Sequence, residues 1–422
     1  MTDAAVEIPE WHTRVLPGVA LDDDDRRLCE RLTSSRRLIV DELVSGLRVT
    51  ARSWVGVVQL SGVRLHVVPK LAGEHLGVVR MVDWASGLNA LKALDAEHDL
   101  KLEGANLLDL VALLLVRAAE RITRAGVRTA YVEREDTLGA LRGRLLFERQ
   151  LRRQHGRVDR LECRFDERSA DIFDNQLLLA AAQRCAERVR DAGVRRRARR
   201  LRLLLSDVCD ASAVALPKRK VHYDRLNQRY AAAHELAWLV LEGSEGLDDL
   251  YRGGATRSFA FLLDMNRVFE TFVERLLGEA LGTVDFQRQT GSVVRRADGR
   301  AYLKLIPDAV ARVGAPAVAI PIDAKYKRYS AKGLSRDDVA QTFLYAMGLG
   351  AKEQPHALII YPAEGAALER TPLVVRHSDR TLRASVTAIG VPVVKVLEEV
   401  ETEARPLVDA LREVVLNARC SA

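Results

Sequence analysis

The 422-residue sequence has no CxxC pair: Cys29, Cys163, Cys185, Cys209 and Cys420 are scattered and odd in number. That pattern excludes a disulfide framework and a cysteine-built zinc site, and reads as reduced thiols in a cytoplasmic protein. Long apolar runs are missing too. The most apolar stretch, Leu110 to Val116, is closed by Asp109 and Arg117. It falls far short of the roughly 20 residues that cross a bilayer, so a buried helix is expected and no membrane partner. The opening residues, Met1 to Pro9, are acidic and contain proline; they lack the basic patch and apolar run of an export signal. No GxxxxGK[ST] phosphate loop is present, so no nucleotide is expected to be bound by this chain alone. There is no internal repeat and no low-complexity tract.

What is there suits a folded protein of more than one domain. Hydrophobic residues make up 48% and charged residues 29%, outside the disordered class. A single core stops growing well below this length, which allows two or three domains. Lys and Arg number 65 against 58 Asp and Glu, a formal charge of +7 that fits a polyanionic partner without demanding one.

The patterning suggests three regions. Leu47 to Thr50, Val55 to Val58 and Val63 to Val68 are short β-branched runs separated by turn residues, which predicts a small antiparallel sheet within residues 1–95. Past Gly73 and Gly77 the pattern turns helical, and Leu107 to Ile122 repeats Leu and Val at helical spacing. Residues 96–252 read as a mainly helical middle domain. Within it Arg195, Arg196, Arg197, Arg199, Arg200 and Arg202 form the densest charge run. They read either as the solvated side of a helix that buries Leu201, Leu203, Leu204 and Leu205, or as a phosphate-contacting face. After Gly253 and Gly254, residues 253–422 open with an expected helix from Phe259 to Leu281, carrying Leu262, Met265, Phe269, Phe272 and Leu276. Strands at Tyr302 to Val313 and Val318 to Tyr326, a helix at Arg336 to Leu349 and a strand at His356 to Tyr361 follow, an order that points to an α/β sandwich.

The chemistry gathers in that last region. Ile306-Pro307-Asp308 and Ile320-Pro321-Ile322-Asp323-Ala324-Lys325 flank the turn-forming Gly314 to Ala317. If the strands pair about a turn centred between Ala315 and Pro316, facing residues sum to 631, and Asp308 faces Asp323. Alternation puts Asp323 and Lys325 on one side of the strand, with Ile320 and Ile322 on the other. Two carboxylates so close repel unless a cation or a proton lies between them, and their oxygens suit Mg²⁺ or Mn²⁺. Such a cation with a lysine beside it is equipment for phosphodiester hydrolysis; the plain alternative is a hairpin with an exposed salt bridge. Pro321 is awkward, because it cannot donate to a ladder. Glu270, on the preceding helix, is a candidate third carboxylate or a surface residue patterned with Arg267 and Glu274. Gln341 and Tyr345 stand one helical turn apart and can project from one side of their helix.

A helix bearing Glu, this hairpin, then a helix bearing Gln-x-x-x-Tyr resembles the RecB-like branch of the PD-(D/E)xK nucleases, with Asp323 where Glu is commoner. Further stretches are similar to the McrC family of modified-cytosine restriction systems: Leu141 to Phe147, Phe165 to Ser169 running into Asp174 to Leu178, and Phe261 to Glu270. The likeness covers roughly residues 140–350. It implies a multidomain α/β (α+β) chain: a small β-rich N-terminal domain, a helical middle region, and a PD-(D/E)xK restriction-endonuclease-like sandwich at the C-terminal end.

The implied activity is a DNA endonuclease subunit dependent on Mg²⁺ or Mn²⁺. Its metal ligands would be Asp308, Asp323 and Glu270, its catalytic residues Asp308, Asp323, Lys325 and Gln341, and its nucleic-acid contacts Lys327, Arg328 and Tyr345. The implied partners are double-stranded DNA, modified, and an McrB-like AAA+ GTPase hexamer whose hydrolysis the N-terminal part stimulates, with Arg142 and Arg144 as candidate cations. The chain shows no aromatic cage for a flipped base. The alternatives are a non-catalytic regulator of such a motor, or a nuclease of the same core acting in DNA repair or on RNA.

Overall fold

The computed structural model describes residues 4–69, 75–87, 107–210, 221, 223–245, 258–282, 284–286, 293–313, 317–327, 329, 333–376, 378–379, 382–400, 402 and 404–417. The chain divides into two compact units, one of residues 1–107 with 243–422 and one of residues 108–242. Residues 1–95 and 253–422, expected as separate domains, therefore fall in one unit.

The N-terminal segment runs β1 (Ala4–Pro9), β2 (Thr13–Pro17), α1 (Asp23–Ser34), β3 (Leu38–Leu43), β4 (Gly46–Ala51), β5 (Trp54–Gln59), β6 (Val63–Val68) and α2 (His75–Ala85). Helix α1 starts where Asp22 accepts from the Asp25 amide at 2.8 Å and Asp25 answers with the Asp22 amide, a reciprocal cap that satisfies two otherwise orphaned donors. The three expected strands do not share a sheet. β4 lies between β2 and β3, whereas β5 and β6 belong to another sheet with β1. Both bury apolar residues in one core with α1, including Ile8, Leu28, Leu32, Leu47, Val49 and Leu65.

The second unit contains α3 (Leu107–Arg124), β7 (Ala130–Leu138), β8 (Arg144–Leu145), α4 (Phe147–Gln154), β9 (Leu161–Ser169), α5 (Phe173–Arg188), α6 (Ala192–Ser206) and α7 (Ala231–Gly243). Leu110 to Val116 are buried in α3 as expected. β7 and β9 pair antiparallel over nine residues, with β8 along β9, so this region is less purely helical than its composition suggests. On α6 the buried side is Val194, Ala198, Leu201 and Leu205. Leu203 and Leu204 are 58% and 51% exposed: a helix turns about 100° per residue, so two positions beside a buried stripe point away from it. Arg197 departs from the solvated run to pair with Glu120 at 2.8 Å. Arg142 pairs with Glu167 at 3.3 Å and covers the Phe165 ring at 4.2 Å, ties that account for it structurally.

The chain returns to the first unit with β10 (Ser244–Glu245), β11 (Phe259–Asp264), α8 (Met265–Leu281), β12 (Val284–Phe286), β13 (Val293–Arg295), β14 (Ala301–Lys304), β15 (Ala309–Val313), β16 (Val318–Ala324), α9 (Arg336–Leu349), β17 (His356–Ala363), β18 (Glu369–Arg376), β19 (Leu382–Pro392), α10 (Val393–Glu399) and α11 (Pro406–Asn417). The expected helix from Phe259 begins six residues late, at Met265. Residues 259–264 instead pair antiparallel with β5, which joins the two segments of the first unit in one sheet. The approach is close enough that a Cβ at Gly56 would stand 2.1 Å from the Phe261 carbonyl oxygen, so glycine is required there. Asp264 then caps α8 by accepting from the Asn266 amide at 3.0 Å.

The C-terminal sheet has the order β12-β15-β16-β17-β19-β18. Its centre, β16-β17-β19, is parallel, and β12, β15 and β18 are antiparallel to their neighbours. Helix α9 connects β16 to β17 and packs Phe343 and Ala346 with Ala357, Ile359, Tyr361, Val386 and Ala388. The expected strand from Tyr302 to Val313 is broken: β14 pairs with β13 in a separate ribbon, and only β15 joins the main sheet. Helix α9 and the strand at His356 stand as expected.

Candidate active site

The hairpin forms in the register that its turn implies. Ala309 faces Ile322, Val310 faces Pro321, Ala311 faces Ile320 and Val313 faces Val318; one step further sets Asp308 opposite Asp323. Gly314 to Pro316 of the turn itself lie outside the described residues. Pro321 is tolerated because β17 pairs with β16 only from Ile322 onwards, so at the proline the second ladder has not begun.

Asp308 sits just ahead of β15, and one of its oxygens, Oδ2, accepts the Ala324 amide at 2.7 Å. This bond ties the first acid to the strand that carries the second. Asp323 is 2% exposed and shares its ladder position with Ile359, on the sheet face that α9 covers. The Lys325 ammonium stands 2.8 Å from Asp323 Oδ2. That contact lacks hydrogen-bond alignment, so among the described residues this buried oxygen has no hydrogen-bond partner. The Lys325 amide donates to Ile360 O at 2.8 Å, which extends the parallel ladder and fixes the lysine backbone.

Burial raises Asp323 to about 6, the Lys325 ammonium opposing and the Asp308 charge reinforcing. Burial raises Asp308 as well, against the Ala324 amide and the Lys325 charge. Glu270, half-buried on α8, is raised to about 7 by burial and then by the charge of Asp308. The third expected acid therefore lies within electrostatic reach of Asp308 and of Lys325. Lys325 is raised: desolvation pulls its ammonium down, and the charges of Asp323, Asp308 and Asp338 outweigh that. One ammonium among three partly dehydrated acids does not neutralise them, and burial favours the protonated form of each.

That deficit fits a divalent cation. Among the described residues no three His, Cys, Asp or Glu side chains are already drawn to ligand spacing. A hard cation of the Mg²⁺ type, however, takes one or two carboxylates and fills its remaining positions with water and phosphate oxygens. Asp308 and Asp323 supply such a pair, and the Asp323 oxygen beside the Lys325 ammonium makes no aligned hydrogen bond.

Gln341 and Tyr345 act together on α9. Gln341 donates to the Tyr345 hydroxyl at 2.8 Å, and that hydroxyl donates to Ile306 O at 3.1 Å. Tyr345, expected to reach nucleic acid, is 5% exposed; it anchors the approach to Asp308 instead. Lys327 is not a free cation either. It pairs with Asp338 at 2.6 Å, and Asp338 also accepts the Tyr329 hydroxyl. Burial would raise Asp338, but these two donors outweigh it and hold the carboxyl below its usual range. Arg328 lies outside the described residues. Asp338 and Tyr329 were missed in the sequence; the signal was there, since Asp338 precedes Gln341 by three positions on the same helix face.

A family profile described as McrBC 5-methylcytosine restriction system component matches residues 49–362. Among solved structures, the chain is similar to one described as a half-complex from a tetradecameric assembly of Thermococcus gammatolerans McrB AAA+ hexamers with bound McrC. There the TM-score is 0.54 at 19% identity, covering 98% of this chain and 100% of that one, a likeness of fold. A second, the Thermococcus gammatolerans McrBC complex, gives a TM-score of 0.42 at 23% identity, covering 67% of this chain and 90% of that one. No curated protein matches. Among the described residues no helix is long and apolar enough to cross a membrane. The profile spans 314 positions, about three-quarters of the 422, and includes both acids, Lys325 and the Gln341–Tyr345 pair: the chain belongs to the family of McrBC 5-methylcytosine restriction system components.

Proposed function

We propose that this chain is the DNA-cleaving subunit of a modified-cytosine restriction system, a cytoplasmic endonuclease of PD-(D/E)xK type that uses Mg²⁺ or Mn²⁺. The observation that carries this reading is the hairpin register, which continues to Asp308 opposite Asp323 and leaves a buried Asp323 oxygen beside Lys325. Family membership supports the system, and the fold shared with a chain of an assembly described as McrB AAA+ hexamers with bound McrC supports an McrB-like AAA+ GTPase as partner.

Asp308 and Asp323 would hold the cation, with Glu270 as a third carboxylate. When bound, that ion polarises the phosphodiester and makes a nearby water more acidic. The Lys325 ammonium places positive charge where the phosphate gains negative charge in the transition state. Tyr345 and Gln341 hold the Ile306 carbonyl, and with it the chain leading into Asp308, so the two acids stay in register. Burial of Asp323 keeps bulk water from screening these charges.

The test is a cleavage assay on methylated and unmethylated duplex DNA with the partner motor and GTP present, run alongside GTP hydrolysis. Asp323→Ala should remove cutting and leave stimulation of GTP hydrolysis intact. Cutting at the unaltered rate by that variant would overturn the site. Absence of cutting by the unaltered chain under every condition, with hydrolysis stimulated, would favour the non-catalytic regulator.

A further inference from the structure

The ribbon β13-β14 stands apart from the main sheet and leads into the acid pair. From its last residue, Lys304, only three residues separate it from Asp308. That connector is the segment gripped by Tyr345 through Ile306 O, so the ribbon is tethered to the site by a bond, not only by sequence.

The ribbon has two unlike sides. Val294 faces Leu303 in the ladder, which puts these two on one side, 37% and 48% exposed. Tyr302 and Lys304 alternate to the other. All four residues of β14 are exposed, Tyr302 at 69%. The Arg296 guanidinium lies over the Tyr302 ring, 5.6 Å from its centre, and the shift in register between Val294 and Arg295 is the kind of irregularity that re-aims side chains. Arg300 follows the tight Asp298-Gly299 turn and is 82% exposed, 3.9 Å from Asp298, a distance that leaves its charge largely available. Residues 293–304 hold Arg295, Arg296, Arg300 and Lys304 against Asp298 alone, a net charge of 4 − 1 = +3 on a ribbon of twelve residues. The contrast with Lys327 is direct: that cation is held by Asp338 at 2.6 Å, whereas Arg300 has Asp298 only at 3.9 Å and stays 82% exposed.

We infer that β13-β14 is a duplex-DNA-gripping arm, whose Arg296, Arg300 and Lys304 contact phosphates flanking the bond presented to Asp308 and Asp323. Charge complementarity names the occupant: a short, two-sided ribbon with an arginine stacked on an exposed tyrosine matches a polyanion, and a two-stranded ribbon is narrow enough for the major groove. Its contacts are to the backbone and position the duplex rather than read bases, which suits an arm fixed beside a reacting phosphate. The inference rests on the reading of the acid pair as a nuclease centre for its purpose, but not for its measurement.

The experiment is equilibrium binding of the full chain to a short duplex in EDTA, at several salt concentrations, with Asp323→Ala as a second background. The triple variant Arg296→Ala, Arg300→Ala, Lys304→Ala should bind about 10-fold to 100-fold more weakly near 0.15 M salt. Its slope of log K against log salt should fall by roughly 2 to 3, as expected for two or three lost phosphate contacts. The Lys variants of both arginines should keep most of the affinity, which separates lost charge from a damaged fold. Unchanged affinity and slope in the triple variant would overturn the arm. Weakened binding to the motor protein with DNA affinity unchanged would also overturn it, in favour of a protein-docking ribbon. Failure of the nuclease reading looks different: the triple variant still loses DNA while Asp323→Ala cuts normally.

Discussion

Asp174 in the unit of residues 108–242 and Asp323 in the mixed sheet are both buried carboxylates, 7% and 2% exposed, and the chain surrounds them in opposite ways. Asp174 pairs with Arg128 at 3.0 Å and accepts from Asn227 at 3.3 Å. Its own carbonyl meets His234 at 3.0 Å, and the Tyr230 hydroxyl donates to Asn175 at 2.9 Å. Burial holds His234 below its ordinary range, against the pull of Asp174. The described polar groups of this network are partnered to one another, and it fixes the base of the β7-β9 ribbon to α5 and α7. Around Asp323 the same chain leaves an oxygen without a hydrogen bond and sets two further acids near it. A satisfied network stabilises; an unsatisfied one costs free energy unless something from outside completes it. The difference is the one expected between a scaffold and the proposed site.

The sharpest way to break this contrast is to exchange the consequences. Asp323→Ala should lower the DNA-cutting rate by about 10³-fold or more, the scale of losing a central charge-stabilising group, while its unfolding midpoint does not fall; single-turnover cleavage and urea unfolding measure the two. Asp174→Ala should do the reverse. It strands Arg128 and Asn227, and should lower stability by about 2–4 kcal/mol, read by urea unfolding, with cleavage per folded molecule unchanged.

How far each region could be read beforehand follows from how local its determinants are. The Asp308–Asp323 register was legible because a short turn fixes it, and a one-residue slip would turn every side chain to the other face. α9 was legible from its spacing, and Gln341 and Tyr345 meet as i and i+4 residues should. β11 was not: Phe-Ala-Phe-Leu-Leu is apolar on both sides, a pattern shared by a buried helix and a buried strand, and its partner β5 lies some 200 residues away. Asp264 as a cap residue was the available marker of where the helix starts. The break between β14 and β15 was missed for a related reason, since Leu305 and Ile306 carry on the apolar pattern of the expected strand. Lys327 looked free because its partner Asp338 comes from the next helix, and the exposure of Leu203 and Leu204 followed from angle, not composition.

Titration sharpens the contrast further. With Asp323 raised to about 6 and Glu270 to about 7, the folded chain binds protons more tightly than the unfolded one. The stability these groups contribute is fully present below about pH 4 and is lost as pH rises through their folded values. Without divalent ions the loss between pH 5 and pH 8 should be on the order of 1–3 kcal/mol from Asp323. Asp323→Asn should flatten that part of the profile, and Mg²⁺ should restore stability at pH 8 in the unaltered chain but not in the variant. Thermal unfolding at each pH, with and without Mg²⁺, checks this. A smaller effect is expected at the anchor: Tyr345→Phe removes the hydroxyl between Gln341 and Ile306 O and should cost about 1 kcal/mol, with a few-fold slower cleavage and little change in DNA affinity.

Calorimetric titration of Mn²⁺ into the full chain at pH 7.5 addresses the pairing itself. One ion per chain is expected, lost on either Asp308→Ala or Asp323→Ala. Equal binding of that ion by the unaltered chain and both variants would contradict the account.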